Sequence, residues 1–181
     1  MKIRRIIVGM EPAPRGRATL EAAAKLAARM EAELVGLFVE NIDLLNFAGL
    51  PFASEVCLAS ATRRALDVEG VERHLRAQAR DARQTLATLA GRVPVRWSFR
   101  VARGSAAGEL LAAAADADLV IVDVGETDAF EQAIPVRVVR AGDPEALRAA
   151  MEESGGILVL AGADDAVIGE TLHKLIAQER T

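Results

Sequence analysis

The chain predicts an α/β protein, an open and doubly wound, mostly parallel sheet with helices on both faces in the Rossmann-like manner. Short β-branched runs alternate with stretches at helical spacing, which is the pattern of a parallel sheet with crossover helices. The run Leu119 to Val124 is apolar without interruption, as strands covered on both faces are. Aromatic residues make up only 3% of a sequence that is 51% apolar, so interlocking aliphatic layers must fill the interior.

Ile3 to Gly9 opens the chain as a β-branched strand, and residues 15–31 follow as a helix with Leu20, Ala23, Ala24, Ala27 and Met30 in register. Glu33 to Val39 is a second strand. Val95 to Ala102 is a third, with Trp97, Phe99 and Val101 alternating. Ser105 can cap a helix over 106–116, which leads into the fourth strand, 119–124. The right-handed crossover rule then predicts a spatial order 3-2-1-4, with the first strand central.

Between the second and third strands the spacing predicts a helix over 67–90, with Val71, Leu75, Ala82, Leu86 and Leu89 on one face. Arg73, Arg76, Arg80 and Arg83 fall on the other. Acids at 69 and 72 turn that stripe into a solvated face laced by Glu69–Arg73 and Glu72–Arg76 pairs. Residues 40–66 carry Leu44, Leu45, Phe47, Leu50, Phe52, Val56 and Leu58 with no clear period. A connection this long reads as a lid or a partner-contact segment, with Leu44, Phe47, Leu50 and Phe52 as contact residues. The rival reading is an ordinary flap whose phenylalanines are anchored in the core.

The tail repeats a pattern. Strand 95–104, a helix and the strand at 119 recur as Pro135 to Gly142, a helix and Ile157-Leu-Val-Leu, at an offset of 38 residues. This divides the chain into a core, 1–124, and a partial second unit, 125–181, packed on the same sheet or on a partner chain, with a last helix at 165–178. The link from Val124 to Ile134 is shorter than an ordinary parallel crossover, so strand 134–140 belongs at the far edge, antiparallel, or on another chain.

The formal net charge of −4 is unevenly spread: residues 1–124 hold 17 Lys/Arg against 15 Asp/Glu, and residues 125–181 hold 5 against 11. Phosphate backbones favour basic surfaces, so nucleic acid is not an expected partner. The single Cys57 cannot form an internal disulfide, and no apolar run approaches the length of a membrane span. The expectation is a cytoplasmic protein with no membrane contact.

These stretches taken together resemble the universal stress protein family. The resemblance rests on Arg5-Ile-Ile-Val-Gly-Met-Glu11 followed by Leu20-Glu-Ala-Ala-Ala-Lys-Leu26, and on Glu33-Leu-Val-Gly-Leu-Phe-Val-Glu40. It continues in Val101-Ala-Arg-Gly-Ser-Ala-Ala-Gly-Glu-Leu-Leu111 and Ala117-Asp-Leu-Val-Ile-Val122. The resemblance implies a ligand crevice between strands one and four, where members that bind ATP use an aspartate after strand one and a Gly-x-x-Gly, nine residues, Gly-Ser/Thr loop after strand four. Carried onto this chain, it points to Glu11, Val39 and Gly125, and Met10, Arg103, Gly104 and Asp123 join them as candidate ligand contacts of the same crevice at the strand C-termini. Glu11 stands where the aspartate would be, and the loop fails: Gly125 is followed by Glu126, Thr127, Asp128 and Ala129. A phosphate cradle needs small residues, converging N–H donors and a basic side chain, not carboxylates.

No dinucleotide fingerprint or Walker pattern is present. His74 and His173 are remote in sequence, Cys57 has no obvious base, and no nucleophile–base pair suggests an enzyme. Glu11, Asp123, Glu126 and Asp128 could converge on a cation, but acids at such ends also simply face water, so no metal is expected. The sequence thus reads as a non-catalytic binding or regulatory module without a cofactor, acting as a homodimer or through a protein partner. The alternative is a binder of ATP, AMP or a nucleoside with altered phosphate contacts.

Overall fold

The computed structural model describes residues 3–10, 16–57, 60–123, 136–153, 157–162 and 164–178. Six strands form one sheet: β1 (Arg5–Met10), β2 (Glu33–Asn41), β5 (Arg96–Gly104), β6 (Leu119–Asp123), β7 (Val136–Arg140) and β8 (Ile157–Gly162). Their spatial order is β5-β2-β1-β6-β8-β7, with every neighbouring pair parallel. The strands that the first 124 residues give to this sheet, β5, β2, β1 and β6, take the expected order, and β1 is central. Strand β7 pairs in parallel at the far edge, and β8 fills the place between it and β6. Of the three positions the sequence left open for 134–140, the structure selects the edge of this chain's own sheet for residues 136–140.

Alternation along the central strands sorts side chains onto two faces. Ile6, Val8, Leu34, Leu119, Ile121, Leu158 and Leu160 belong to one layer with α1 (Arg17–Arg29), α3 (Val68–Ala90), α5 (Pro144–Glu152) and α6 (Asp165–Gln178). Ile7, Val35, Leu37, Val120, Val122 and Val159 face the other way, against Leu110 and Ala114 of α4 (Ala106–Ala114). Because both faces are covered, β1, β2, β6 and β8 are apolar almost throughout. Asp67, Ser105 and Asp143 accept from backbone N–H groups in the first turns of α3, α4 and α5, which explains where those helices start.

Residues 40–66 are more regular than their composition suggested. Asn41 accepts from the Asp43 N–H and starts α2 (Ile42–Ala48); β3 (Ser54–Cys57) and β4 (Thr62–Ala65) then form a separate antiparallel hairpin. A seven-residue helix spans two turns, too few for a period to show in sequence. Leu45 and Ala48 are buried against Val71 and Leu75 of α3.

Helices α1 and α6 pack unusually closely. A Cβ at Gly169 would lie 3.1 Å from the backbone carbon and oxygen of Ala18, so the absence of a side chain there sets the distance between the two helices. Gly169→Leu is expected to push α6 off α1 and lower stability by about 1–3 kcal/mol, the usual range for overpacking. Denaturant unfolding measures this directly; a change within error would mean that the contact does not control the helix pair.

Candidate functional site

The C-terminal ends of the strands meet at one edge of the sheet, and the strand order reverses between β1 and β6, where open α/β sheets place a ligand. The start of α1 lies at this edge. Gly16 holds its N-cap with φ of 83°, a left-handed conformation suited to glycine, and has no side chain to satisfy the first-turn N–H groups. Helix N-termini of this kind attract anions because their N–H groups lack intrahelical partners.

Here the anion is internal. One carboxylate oxygen of Asp165, the first residue of α6, accepts from the Ala18 N–H at 2.9 Å, and the other accepts from the Thr19 N–H at 2.8 Å. The Thr19 hydroxyl donates to the Asp165 carbonyl at 3.3 Å. A residue almost 150 positions later therefore supplies the cap that the local sequence does not.

The second polar group at this edge is also spent internally. Glu40 and Arg103 are directly opposed in the β2–β5 ladder. Arg103 donates from Nε at 3.0 Å and pairs through Nη2 at 2.9 Å with the same Glu40 oxygen, and its Nη1 lies 3.6 Å from Glu72 on α3. Glu40 is buried, 7% exposed, and a buried carboxylate without a partner would be costly. Arg103 thus neutralises a core acid and ties β5 to β2 and α3. Glu72 also pairs with Arg76 at 2.7 Å, and Glu69 with Arg73 at 3.5 Å, the two helical pairs expected on the outer face of α3.

The remaining sequence-selected residues are dispersed by the alternation of the strands. Val39 packs in the layer of α4, whereas Met10 packs with Phe38 and Phe99 beneath α3, on the opposite face. Gly104 faces Glu109 of α4 so closely that a Cβ would collide with that side chain. Asp123 ends β6; its side chain lies outside the described residues, as do Glu11 and Gly125, the Glu126 to Ala129 stretch, and the Cys57 side chain. Among the described residues no three His, Cys, Asp or Glu side chains converge as a metal site. His74 bonds to Gln78 at 2.9 Å on an exposed helix face.

The four residues that the sequence suggests for partner contact on the excursion are all solvent-exposed. Leu44 is 41% exposed, Phe47 46%, Leu50 41% and Phe52 71%, so the phenylalanines are not anchored in the core. Sequence reasoning missed Asp165 and the Glu40–Glu72 pairing of Arg103, since each depends on a contact between distant segments. Asp165 shows only as an acid at a helix start, where it could equally cap its own helix.

No protein-family model matches the sequence, and no curated protein matches it. The universal stress protein UspA from Lactobacillus plantarum superposes with a TM-score of 0.52 at 13% identity, covering 89% of this chain and 98% of that one. The hypothetical protein MJ0577, whose biochemical function was assigned from its structure, superposes with a TM-score of 0.51 at 11% identity, covering 90% and 97%. At these identities the likeness speaks to architecture, and the six-stranded parallel sheet described above has the universal stress protein fold.

Proposed function

We propose that this chain is a non-catalytic binding or regulatory module on the universal stress protein fold, one that has lost ATP binding and works by self-association or contact with a protein partner. The observation that carries the reading is the Asp165 carboxylate on the Ala18 and Thr19 N–H groups. A phosphate approaching the start of α1 would have to displace a charge already bonded there and would be repelled by it. Two further features support the same reading: Arg103 is engaged by Glu40 and Glu72, and the segment after β6 carries Glu126 and Asp128 in place of a glycine loop.

A second reading, an adenine nucleotide or nucleoside binder, is favoured by the reversal of strand order at β1/β6, the usual place for such ligands in this class of sheet. Binding would then rely on the base and ribose, with the phosphates held differently.

Thermal unfolding with millimolar Mg-ATP, AMP and adenosine separates the two. A ligand at 100 times its dissociation constant adds about 2.7 kcal/mol, so a tight binder gives a clear rise in melting temperature. No saturable rise is expected with any of the three; a rise with ATP overturns the loss of ATP binding, and a rise with adenosine or AMP alone supports the second reading.

The internal cap can be tested separately. Asp165→Ala is expected to lower stability by about 1–2 kcal/mol, because two first-turn donors of α1 lose a shared acceptor. Asp165→Asn should lose less, since one amide oxygen can still accept one of the two bonds. Equal stability of all three proteins in urea unfolding would show that water replaces the carboxylate without cost.

A further inference from the structure

We infer that the outer edge of β5 is a docking site for an extended, acidic segment of another protein, which adds to the sheet as a further strand; this rests on the contact-module reading and names its partner and surface. Strand β5 ends the sheet with β2 on one side only, so half of its backbone N–H and C=O groups point away from the other strands. At nine residues it equals β2 as the longest strand of this sheet, whereas protected edges are usually very short.

The charges on this edge are unspent. Arg96 and Arg100 are exposed, and among the described residues neither guanidinium has a hydrogen bond or ion pair. The opposite edge of the sheet differs: on the five-residue β7, Arg137 pairs with Glu153, and Arg140 is also engaged. The inner side of β5 shows what this strand selects. Glu33 stands opposite Arg96 and Glu40 opposite Arg103 in the β2–β5 ladder, while Leu37 stands opposite Arg100. Glu40 takes Arg103, but Glu33 spends its two oxygens on Arg5 and Ser98. Arg96 and Arg100 are left for a strand on the outer side.

Alternation sets the pattern that this strand must carry. Ser98 bonds to Glu33 and Ala102 packs in the layer of α4, so Arg96 and Arg100 belong to that face. Trp97 and Phe99 pack in the opposite layer, and Val101, 50% exposed, follows them on that face. A partner strand therefore sets acids opposite Arg96 and Arg100 and apolar side chains opposite Trp97, Phe99 and Val101, an acid–apolar alternation. A second copy of β5 does not fit. Antiparallel pairing about Ser98 would set Arg96 against Arg100 twice, and like charges directly opposite repel.

Fluorescence anisotropy of the full chain with labelled peptides matched in length to β5 tests this. A peptide of alternating glutamate and valine is expected to bind saturably, and its lysine–valine counterpart is not. A peptide of the same composition with glutamates and valines in separate blocks should bind about tenfold more weakly, since it cannot keep its acids on one face. Arg96→Glu/Arg100→Glu should keep its melting temperature, lose about tenfold in affinity for the glutamate peptide and gain binding of the lysine peptide. Absence of saturable binding, equally tight binding of the block-ordered peptide, or an unchanged peptide preference in the folded double variant overturns the proposal. If that variant fails to fold, a glutamate–valine peptide N-methylated at every residue decides, because it cannot donate to a strand ladder: loss of binding is expected, and undiminished binding overturns strand addition. The nucleotide titration reads the crevice and not this edge. A saturable rise with ATP overturns the contact-module reading, whereas absence of peptide binding without such a rise overturns only the β5 site.

Discussion

One carboxylate holds together the two ends of this sequence. Asp165 sits at the start of α6 and bonds to the first free N–H groups of α1, and the close approach of Gly169 to Ala18 brings the helices near enough for that bond to form. The interaction joins a charge to the positive end of a helix at short range, in a partly buried position where water competes less well. Beside this contact Ile168, Leu172 and Leu175 of α6 pack in the layer over β1, β6 and β8, where β8 and β7 join the sheet through their own parallel ladders.

The same carboxylate connects architecture to function. The edge of the sheet where strand order reverses ordinarily offers positive ends of helices and basic side chains to a ligand. In this chain those resources satisfy internal acids: α1 serves Asp165, and Arg103 serves Glu40 and Glu72. Burial of Glu40 makes Arg103 hard to release, because freeing it would strand a carboxylate in the core. Electrostatic groups that elsewhere could hold an anion here stabilise the fold.

The apolar excursion of residues 40–66 is anchored on α3. Leu45 and Ala48 are buried against α3, while Leu44, Phe47 and Phe52 remain in water. Large apolar groups exposed together carry a solvation cost that a second surface can remove. The β3–β4 strands add polar side chains of both signs, Glu55, Arg63 and Arg64.

Strand and helix identities, the central place of β1, and the order of the first four strands could be read from the sequence, because burial on both faces and helical periodicity are local patterns fixed by alternation and by 3.6 residues per turn. The outward arginine face of α3 and its paired acids were legible for the same reason. Helix α2 and the β3–β4 pair were not, since two turns of helix and four-residue strands are too short to show a period. The residues chosen for the crevice illustrate the deeper limit: Met10 and Val39 lie on neighbouring strands, yet the pleat sends their side chains to opposite faces. What bonds to the start of α1, and what Arg103 neutralises, were decided only by tertiary structure. Hydrogen bonds and ion pairs form between groups brought within about 3 Å, and no local pattern records that a residue at 165 will meet one at 18.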